Sequence, residues 1–141
     1  MHTLIVDDSK VMQEILRETM APYGRVSLVP HGRDAVTFFI RSLEDNNPVD
    51  LILLDIQMPV MDGHEALTMI RRLEEQRFGK IRVKVVMVSS LSDYENILKA
   101  QFEERADAYL TKPFETEALL EILGNLGLIE RGEFPEDQST P

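Results

Sequence analysis

Short apolar runs in this sequence end in polar residues that can do chemistry. The residues at these ends are Asp7-Asp8, Asp55, Ser89 and Lys112. Acidic oxygens hold a magnesium ion well, and a carboxylate beside a cation is suited to accept a phosphoryl group. If folding brings these ends together, the residues indicate magnesium-dependent formation of an aspartyl phosphate.

The runs have the pattern of buried parallel strands. Each is short, rich in β-branched residues or leucine, and lacks polar alternation, as in strands covered on both faces. Helical patterns separate the runs, which predicts right-handed βα units and an α/β fold with five strands and five helices. In an open parallel sheet, ligands bind beyond the carboxyl ends of the strands. The reactive residues are therefore expected at one edge of the sheet.

The helical segments are predicted from their apolar stripes. The first helix follows Asp8 and ends near residue 20, and a helix cap at Asp7 or Asp8 is the structural alternative to a chemical role. An Asp62-to-Glu65 capping box predicts the start of the third helix. The fourth helix, near residues 92–106, has a thin stripe, so low local stability is expected there. The stripe expected for the first helix consists of Val11, Met12, Ile15 and Leu16.

Composition excludes several classes of protein. The 141 residues and 43% hydrophobic content suit one domain with a real core, which we place at residues 1–128, followed by a polar, disordered tail at 129–141. The net charge of −10 argues against direct nucleic-acid binding, and the three histidines lack zinc spacing. No apolar run is long enough for a membrane span, and no signal peptide is visible. The absence of cysteine excludes disulfides and fits the cytoplasm.

The polar strand ends, taken together, resemble the receiver domain of two-component response regulators, in particular the single-domain chemotaxis regulators. The matching segments are residues 4–9, 53–63, 86–90 and 109–114. One Asp-Asp or Lys-Pro pair alone is a weak signal, whereas the four segments in the family's order and spacing are specific. The resemblance covers residues 2 to about 126. It implies a flavodoxin-like, doubly wound sheet with strand order 2-1-3-4-5.

The resemblance also implies roles for individual residues. Asp55 would accept the phosphoryl group. Magnesium would be held by Asp7, Asp8, Asp55 and the backbone carbonyl of Gln57, with one of the first two acting through water. Lys112 would pair with Asp55 and then with the phosphoryl oxygens.

Two further residues would form the switch of such a domain. Ser89 would donate its hydroxyl to a phosphoryl oxygen, and Tyr109 would move inward in response; the structural alternative is a core tyrosine. The Lys112-Pro113 bond is expected to be cis. Ser89 stands where threonine is commoner, and Gln13 stands where arginine is common.

The function implied is a signalling switch rather than an enzyme, with only self-catalysed phosphoryl acceptance and slow autodephosphorylation. The donor would be a histidine kinase or phosphotransfer protein. Output would occur by protein contact through the face formed by the fourth helix, fifth strand and fifth helix. No direct nucleic-acid or membrane partner is expected.

Two alternatives remain open at this point. The chain could be the receiver piece of a longer transcription regulator. It could also be an aspartyl phosphatase of the haloacid dehalogenase type, which needs a second aspartate two residues after the nucleophile as acid and base. That position holds Gln57, and an amide cannot shuttle protons, so the sequence favours a switch.

Overall fold

The computed structural model describes residues 1–56, 61–80, 82–90 and 106–130. Within these ranges, strands and α-helices alternate up to residue 90, and a further strand and helix follow residue 106. The predicted fifth helix is α4 here, and the predicted fourth helix and Gln57 lie outside the described residues. The elements are β1 (His2–Val6), α1 (Lys10–Met20), β2 (Arg25–Val29), α2 (Gly32–Glu44), β3 (Leu51–Asp55), α3 (Gly63–Phe78), β4 (Lys84–Ser90), β5 (Ala108–Lys112) and α4 (Thr116–Asn125).

The five strands form one parallel sheet in the order β2-β1-β3-β4-β5, which confirms the predicted fold class and strand order. Every residue of β1 and β3 is buried, because helices cover both faces of the sheet. Leu4 and Val6 face the core beneath α2 and α3, whereas Ile5, between them, faces the core beneath α1 and α4. Successive side chains of β1 therefore point to opposite faces of the sheet and pack into the two cores in turn.

The start of α1 corrects two predictions. Ser9 is the N-cap, and its side chain accepts a hydrogen bond from the Met12 amide, so the alternative of a cap at Asp7 or Asp8 is wrong. Val11 is 71% exposed and Ile15 is 42% exposed, so these two do not belong to the buried stripe. The helix buries Leu16 and Met20 instead. Helical spacing predicts which apolar residues lie near one another on the helix surface, but it does not predict which of them face the sheet.

The other elements agree more closely with the sequence. Asp62 caps α3 and accepts from the Glu65 amide at 2.9 Å, as the capping box predicts. The Lys112-Pro113 peptide bond is cis, which confirms that prediction. None of the helices within the described ranges is long and apolar enough to cross a membrane.

The chain packs against the core a little beyond α4. Gly127 takes a positive φ of 76°, and the Leu128 amide then bonds back to the Leu123 carbonyl at 3.0 Å. Ile129 is buried in the core beneath α1 and α4. The last described core residue is therefore one position past the boundary that we placed at residue 128.

Candidate functional site

The carboxyl ends of the strands bring the predicted chemical residues to one edge of the sheet. Asp7 follows β1 directly, Asp55 ends β3, and Lys112 ends β5. Ser89 is the penultimate residue of β4 and pairs with Thr111 of β5. Residues far apart in the sequence thus meet because their strands are parallel and end together.

Three carboxylates form the centre of this edge. One oxygen from each of Asp7, Asp8 and Asp55 lies within 4.8 Å of the other two. Asp7 and Asp55 are buried, whereas Asp8 is exposed. All three donors are oxygens, which suit a hard divalent cation, and the exposed side leaves room for coordinated water. This donor set fits magnesium.

Lys112 is the cation of this group. Its Nζ lies 3.3 Å from Asp7 Oδ2 and 3.6 Å from Asp55 Oδ1, so it bridges the two buried carboxylates. One ammonium facing three carboxylates leaves an excess of negative charge in a partly desolvated place. Such a group attracts a further cation.

Asp7 is held by its surroundings before any cation binds. The Ser9 amide donates to Asp7 Oδ1 at 2.9 Å, and the Asp7 amide donates to the Val29 carbonyl at 3.2 Å. The Gln13 side-chain amide donates to the Asp7 carbonyl. Sequence reasoning noted Gln13 only as a departure from the family and missed this contact. Its position one helical turn after the Ser9 cap was the available signal.

Asp55 is positioned by the close packing of its backbone against β4 and against the start of α3. The Ile56 amide donates to the Val88 carbonyl at 3.1 Å, and the Gly63 amide donates to the Ile56 carbonyl at 3.0 Å. A Cβ on Gly63 would lie 2.5 Å from the Asp55 carbonyl oxygen, closer than real Cβ atoms come. Gly63 is therefore a positioning residue that sequence reasoning treated only as part of a motif.

Ser89 lies at this edge of the sheet, and Tyr109 lies three residues before Lys112 on β5; neither belongs to the charged cluster. The Ser89 side chain is 1% exposed, and its hydroxyl has no hydrogen-bond partner among the residues that the structure describes. Tyr109 is half-buried and packs against the core beneath α2 and α3. Burial raises the pKa of its phenol. A buried hydroxyl without a partner is costly, and it remains available as a donor.

Comparisons with known proteins agree with this geometry. The sequence profile of the response regulator receiver domain matches residues 3–124. Probable histidine kinase 2 of Oryza sativa subsp. indica is 35% identical over 133 residues, which cover 87% of this chain and 12% of the kinase. The first five curated relatives are all named histidine kinases, and the chain spans only 7% to 14% of their lengths.

Solved structures show the same relation. The receiver domain of a sensor histidine kinase from Pseudomonas aeruginosa, with magnesium coordinated in its active site cleft, superposes with a TM-score of 0.72 at 32% identity; the match covers 88% of this chain and 94% of that one. A co-crystal structure of a Saccharomyces cerevisiae histidine phosphotransfer protein with the receiver domain of its downstream response regulator gives 0.73 at 28% identity, with 93% of each chain covered. The chain therefore belongs to the response regulator receiver domain family.

Proposed function

We propose that this receiver domain is switched by phosphorylation of Asp55. The observation that carries the proposal is the Asp55 carboxylate, which is buried at the end of β3, grouped with two other carboxylates and 3.6 Å from the ammonium of Lys112. A nucleophilic carboxylate held beside a cation meets the main requirement of phosphoryl transfer, which is positioning and charge neutralisation.

The donor we propose is the phosphohistidine of a histidine kinase or a phosphotransfer protein. An Asp55 oxygen attacks phosphorus, a P–O bond forms, and the P–N bond breaks as the imidazole leaves and takes up a proton. Lys112 stabilises the charge on the transferred oxygens because its ammonium already faces Asp55. We infer that the domain's own chemistry ends there, with slow hydrolysis of the aspartyl phosphate.

Magnesium is the cofactor we propose. The carboxylates of Asp7, Asp8 and Asp55 would hold it, together with the backbone carbonyl of Gln57. The cation supplies charge neutralisation for carboxylates and phosphoryl oxygens that otherwise repel one another. The all-oxygen cluster and the exposure of Asp8 support this assignment. Weak binding, on the order of millimolar, is expected for an ion that keeps several waters.

The proposed phosphoacceptor is tested by intact mass after incubation with acetyl phosphate and magnesium. The wild-type chain should gain one phosphoryl group, and Asp55→Asn should gain none. Asp34→Asn is a matched control, because Asp34 is an exposed acid in the first turn of α2. Labelling of Asp55→Asn equal to that of the control would show that another residue accepts the group.

The protein donor is proposed to dock beside α1. Val11 and Ile15 expose apolar side chains on this helix, whose cap Ser9 directly follows Asp8. Exposed apolar residues next to a reaction centre favour contact with another protein. The kinase relatives and the phosphotransfer complex support this class of partner. Because such kinases draw their phosphoryl group from ATP, the cytoplasm is the compartment we propose.

The output surface is proposed to consist of the predicted fourth helix, β5 and α4, controlled by Ser89 and Tyr109. The buried Ser89 hydroxyl without a partner is a donor waiting for an acceptor, and a phosphoryl oxygen on Asp55 would supply one. A ligand shifts a conformational equilibrium only through contacts that differ between two states. The new Ser89 contact is such a difference, and it would shift Tyr109 on the neighbouring strand.

Amide NMR with beryllofluoride, a phosphoryl mimic, tests this switch. The wild-type chain should show shifts from Ser89 to about residue 102 and around Tyr109, and Ser89→Ala should reduce them. Ser90→Ala is the matched control, because Ser90 is the next residue of β4 and is less buried. Shifts confined to the loops that carry Asp7 and Asp55 would contradict the switch and leave the phosphoacceptor untouched.

A second arrangement is favoured by one comparison. The first five curated relatives are several times longer than this chain, and from this we propose, as the second arrangement, that the domain serves as one part of a larger regulator or kinase. We propose residues 1–129 as the receiver unit in either case, one residue longer than the sequence alone indicates because Ile129 is buried in its core, and residues 130–141 as a polar segment beyond it. The family assignment disfavours the phosphatase alternative.

A further inference from the structure

A groove lies at the opposite end of the sheet from Asp55. It has a volume of about 450 Å³ and lies between the end of α2, the end of α3 and the start of β4. Its apolar lining includes Leu43, Val49 and Phe78. Its size is within the range of pockets that bind small ligands or side chains, roughly 300–1,000 Å³. Phosphoryl chemistry uses none of these residues.

The groove is positively charged on a chain whose net charge is −10. Arg77, Arg82 and Lys84 line it, and Lys84 Nζ also lies 3.9 Å from Asp107 Oδ1. Its two acidic lining residues are already engaged. Asp50 Oδ2 accepts from the His2 amide at 2.7 Å, and Glu74 is fully buried in an ion pair with an arginine outside the groove.

Two of the cations are held in place by an aromatic ring. The guanidinium carbon of Arg82 lies 4.4 Å from the centroid of Phe78, and that of Arg77 lies 5.9 Å from it. Within the described residues, no carboxylate oxygen forms an ion pair with either guanidinium. Cation–π contacts orient the two groups and leave their N–H donors available to an anion.

The chain runs past this groove as it leaves the described residues. Leu128 lines the groove, and Ile129 is anchored in the core. Residues 131–141 contain three acidic residues and one aromatic residue: Glu133, Phe134, Glu136 and Asp137. Phe134 is six residues past Leu128, so an extended chain reaches about 20 Å from that point.

We propose that residues 131–141 bind this groove in the same molecule. Their carboxylates would face Arg77, Arg82 and Lys84, and Phe134 would contact the apolar floor. The charges of the segment and the groove are complementary. Tethering at Ile129 favours this occupant over an acidic segment of another protein, because it gives residues 131–141 a high effective concentration, on the order of millimolar for a short link.

Paramagnetic relaxation tests the proposal on the full chain. The sequence contains no cysteine, so Ser139→Cys accepts a single nitroxide label. Amides around the groove, such as those of Asn46 and Lys84, should lose most of their signal, and the loss should be reversed by reducing the label. Amides at the far edge of the sheet, such as that of Ser89, should keep theirs.

Charge reversal provides the matched comparison. Arg77→Glu with Arg82→Glu should restore the groove signals, whereas Arg33→Glu with Arg72→Glu, the same change of charge at exposed arginines outside the groove, should not. All four arginines are exposed, so the fold should tolerate the substitutions, and the amide spectrum verifies this. Neutralising the segment itself, with Glu133→Gln, Glu136→Gln and Asp137→Asn, should have the effect of the groove variant.

Three outcomes would overturn the proposal. The first is the absence of signal loss at the groove, and the second is an equal loss at both edges of the sheet. The third comes from a mixture of isotope-labelled chains without nitroxide and unlabelled chains with nitroxide. It is a loss of the groove amide signals of the isotope-labelled chains. That result would mean that the segment of a second copy occupies the groove.

Discussion

The two ends of the parallel sheet carry buried charges that are treated in opposite ways. At the amino end, Arg71 of α3 lies among two carboxylates, those of Glu74 and Asp107. At the carboxyl end, Lys112 lies between the carboxylates of Asp7 and Asp55. Both groups place a cation between acids, but only one leaves its charges without full compensation.

The amino-end group is saturated with hydrogen bonds. Arg71 donates to Glu74 at 2.8 Å, to the Val83 carbonyl at 2.7 Å and to Asp107 at 2.9 Å. Glu74 also accepts from the Val83 amide at 2.6 Å, and Asp107 accepts from the Val85 amide at 2.8 Å. Buried ions are tolerated when such bonds replace water. This group joins α3 to β4 and β5, and its charges are matched by partners within the fold.

The carboxyl-end group is incomplete. Lys112 approaches its two partners at 3.3 and 3.6 Å, which is longer than the contacts of Arg71, and Asp8 adds a third acid. The neighbouring Ser89 hydroxyl has no partner within the described part of the chain. Uncompensated negative charge and a hydroxyl donor without an acceptor lie together here. This end of the sheet therefore offers complementary groups to a cation and a phosphoryl group. Buried charge therefore marks a functional site only where its partners are insufficient.

The largest effect should come from removing the cation of the saturated group. Arg71→Met leaves Glu74 without its cation and Asp107 with only the Lys84 ammonium at 3.9 Å, and breaking a buried ion pair in this way costs about 3–5 kcal/mol. Urea denaturation without magnesium measures the loss in free energy of unfolding. Lys112→Met is the matched variant at the other end. It should cost less, because Lys112 is partly exposed and its contacts are longer. Equal losses would show that the two buried groups of charges are equally well compensated.

A smaller effect should follow from supplying the cation that the carboxyl end lacks. Magnesium at ten times its dissociation constant should stabilise the wild-type chain by about 1.4 kcal/mol, since it binds the folded state. Asp8→Asn should lose most of this gain. Without magnesium that variant should be slightly more stable than the wild type, because repulsion among three carboxylates falls. The midpoint of urea unfolding, with and without magnesium, measures both changes.

Asp34→Asn serves as the control for the magnesium measurement, because it removes an exposed acid from α2 and should keep the full gain. A gain in Asp8→Asn equal to that of the control would remove Asp8 from the proposed metal site. A gain lost in both variants would mean that magnesium acts on overall charge rather than at the strand ends.

The carboxyl-end group could be predicted from sequence because parallel strands obey a simple rule. A buried run has a recognisable end, and strand ends share an edge, so Asp7, Asp55 and Lys112 were expected together. Their exact partners were less accessible. Two of these contacts depend on side-chain directions in one short loop: the cap that Ser9 forms on α1, and the hydrogen bond from Gln13 to the Asp7 carbonyl.

The amino-end group was not predicted, for a physical reason. Arg71 and Glu74 are three residues apart on a helix, which is the usual spacing of a solvated surface pair. Asp107 is 36 residues away and follows no apolar run. Only the packing of α3 against β4 and β5 makes these residues buried. Val11 and Ile15 show the opposite error. They were predicted to be buried and are exposed, because the helical period alone does not identify the covered face.

The smallest expected effect lies between the two ends, on β5. Tyr109 is half-buried there, and burial raises the pKa of its phenol above 10.0, the value expected when exposed. The unfolded chain therefore loses this proton at lower pH than the folded chain does. Its contribution to stability is complete below about pH 10 and is lost as pH rises through the folded pKa. Urea unfolding at a series of alkaline pH values should show a smaller decline for Tyr109→Phe than for the wild type, while the difference between them stays constant near neutrality. Parallel declines would mean that the phenol ionises as easily in the fold as in water, and that β5 tolerates an unpaired charge between the two groups.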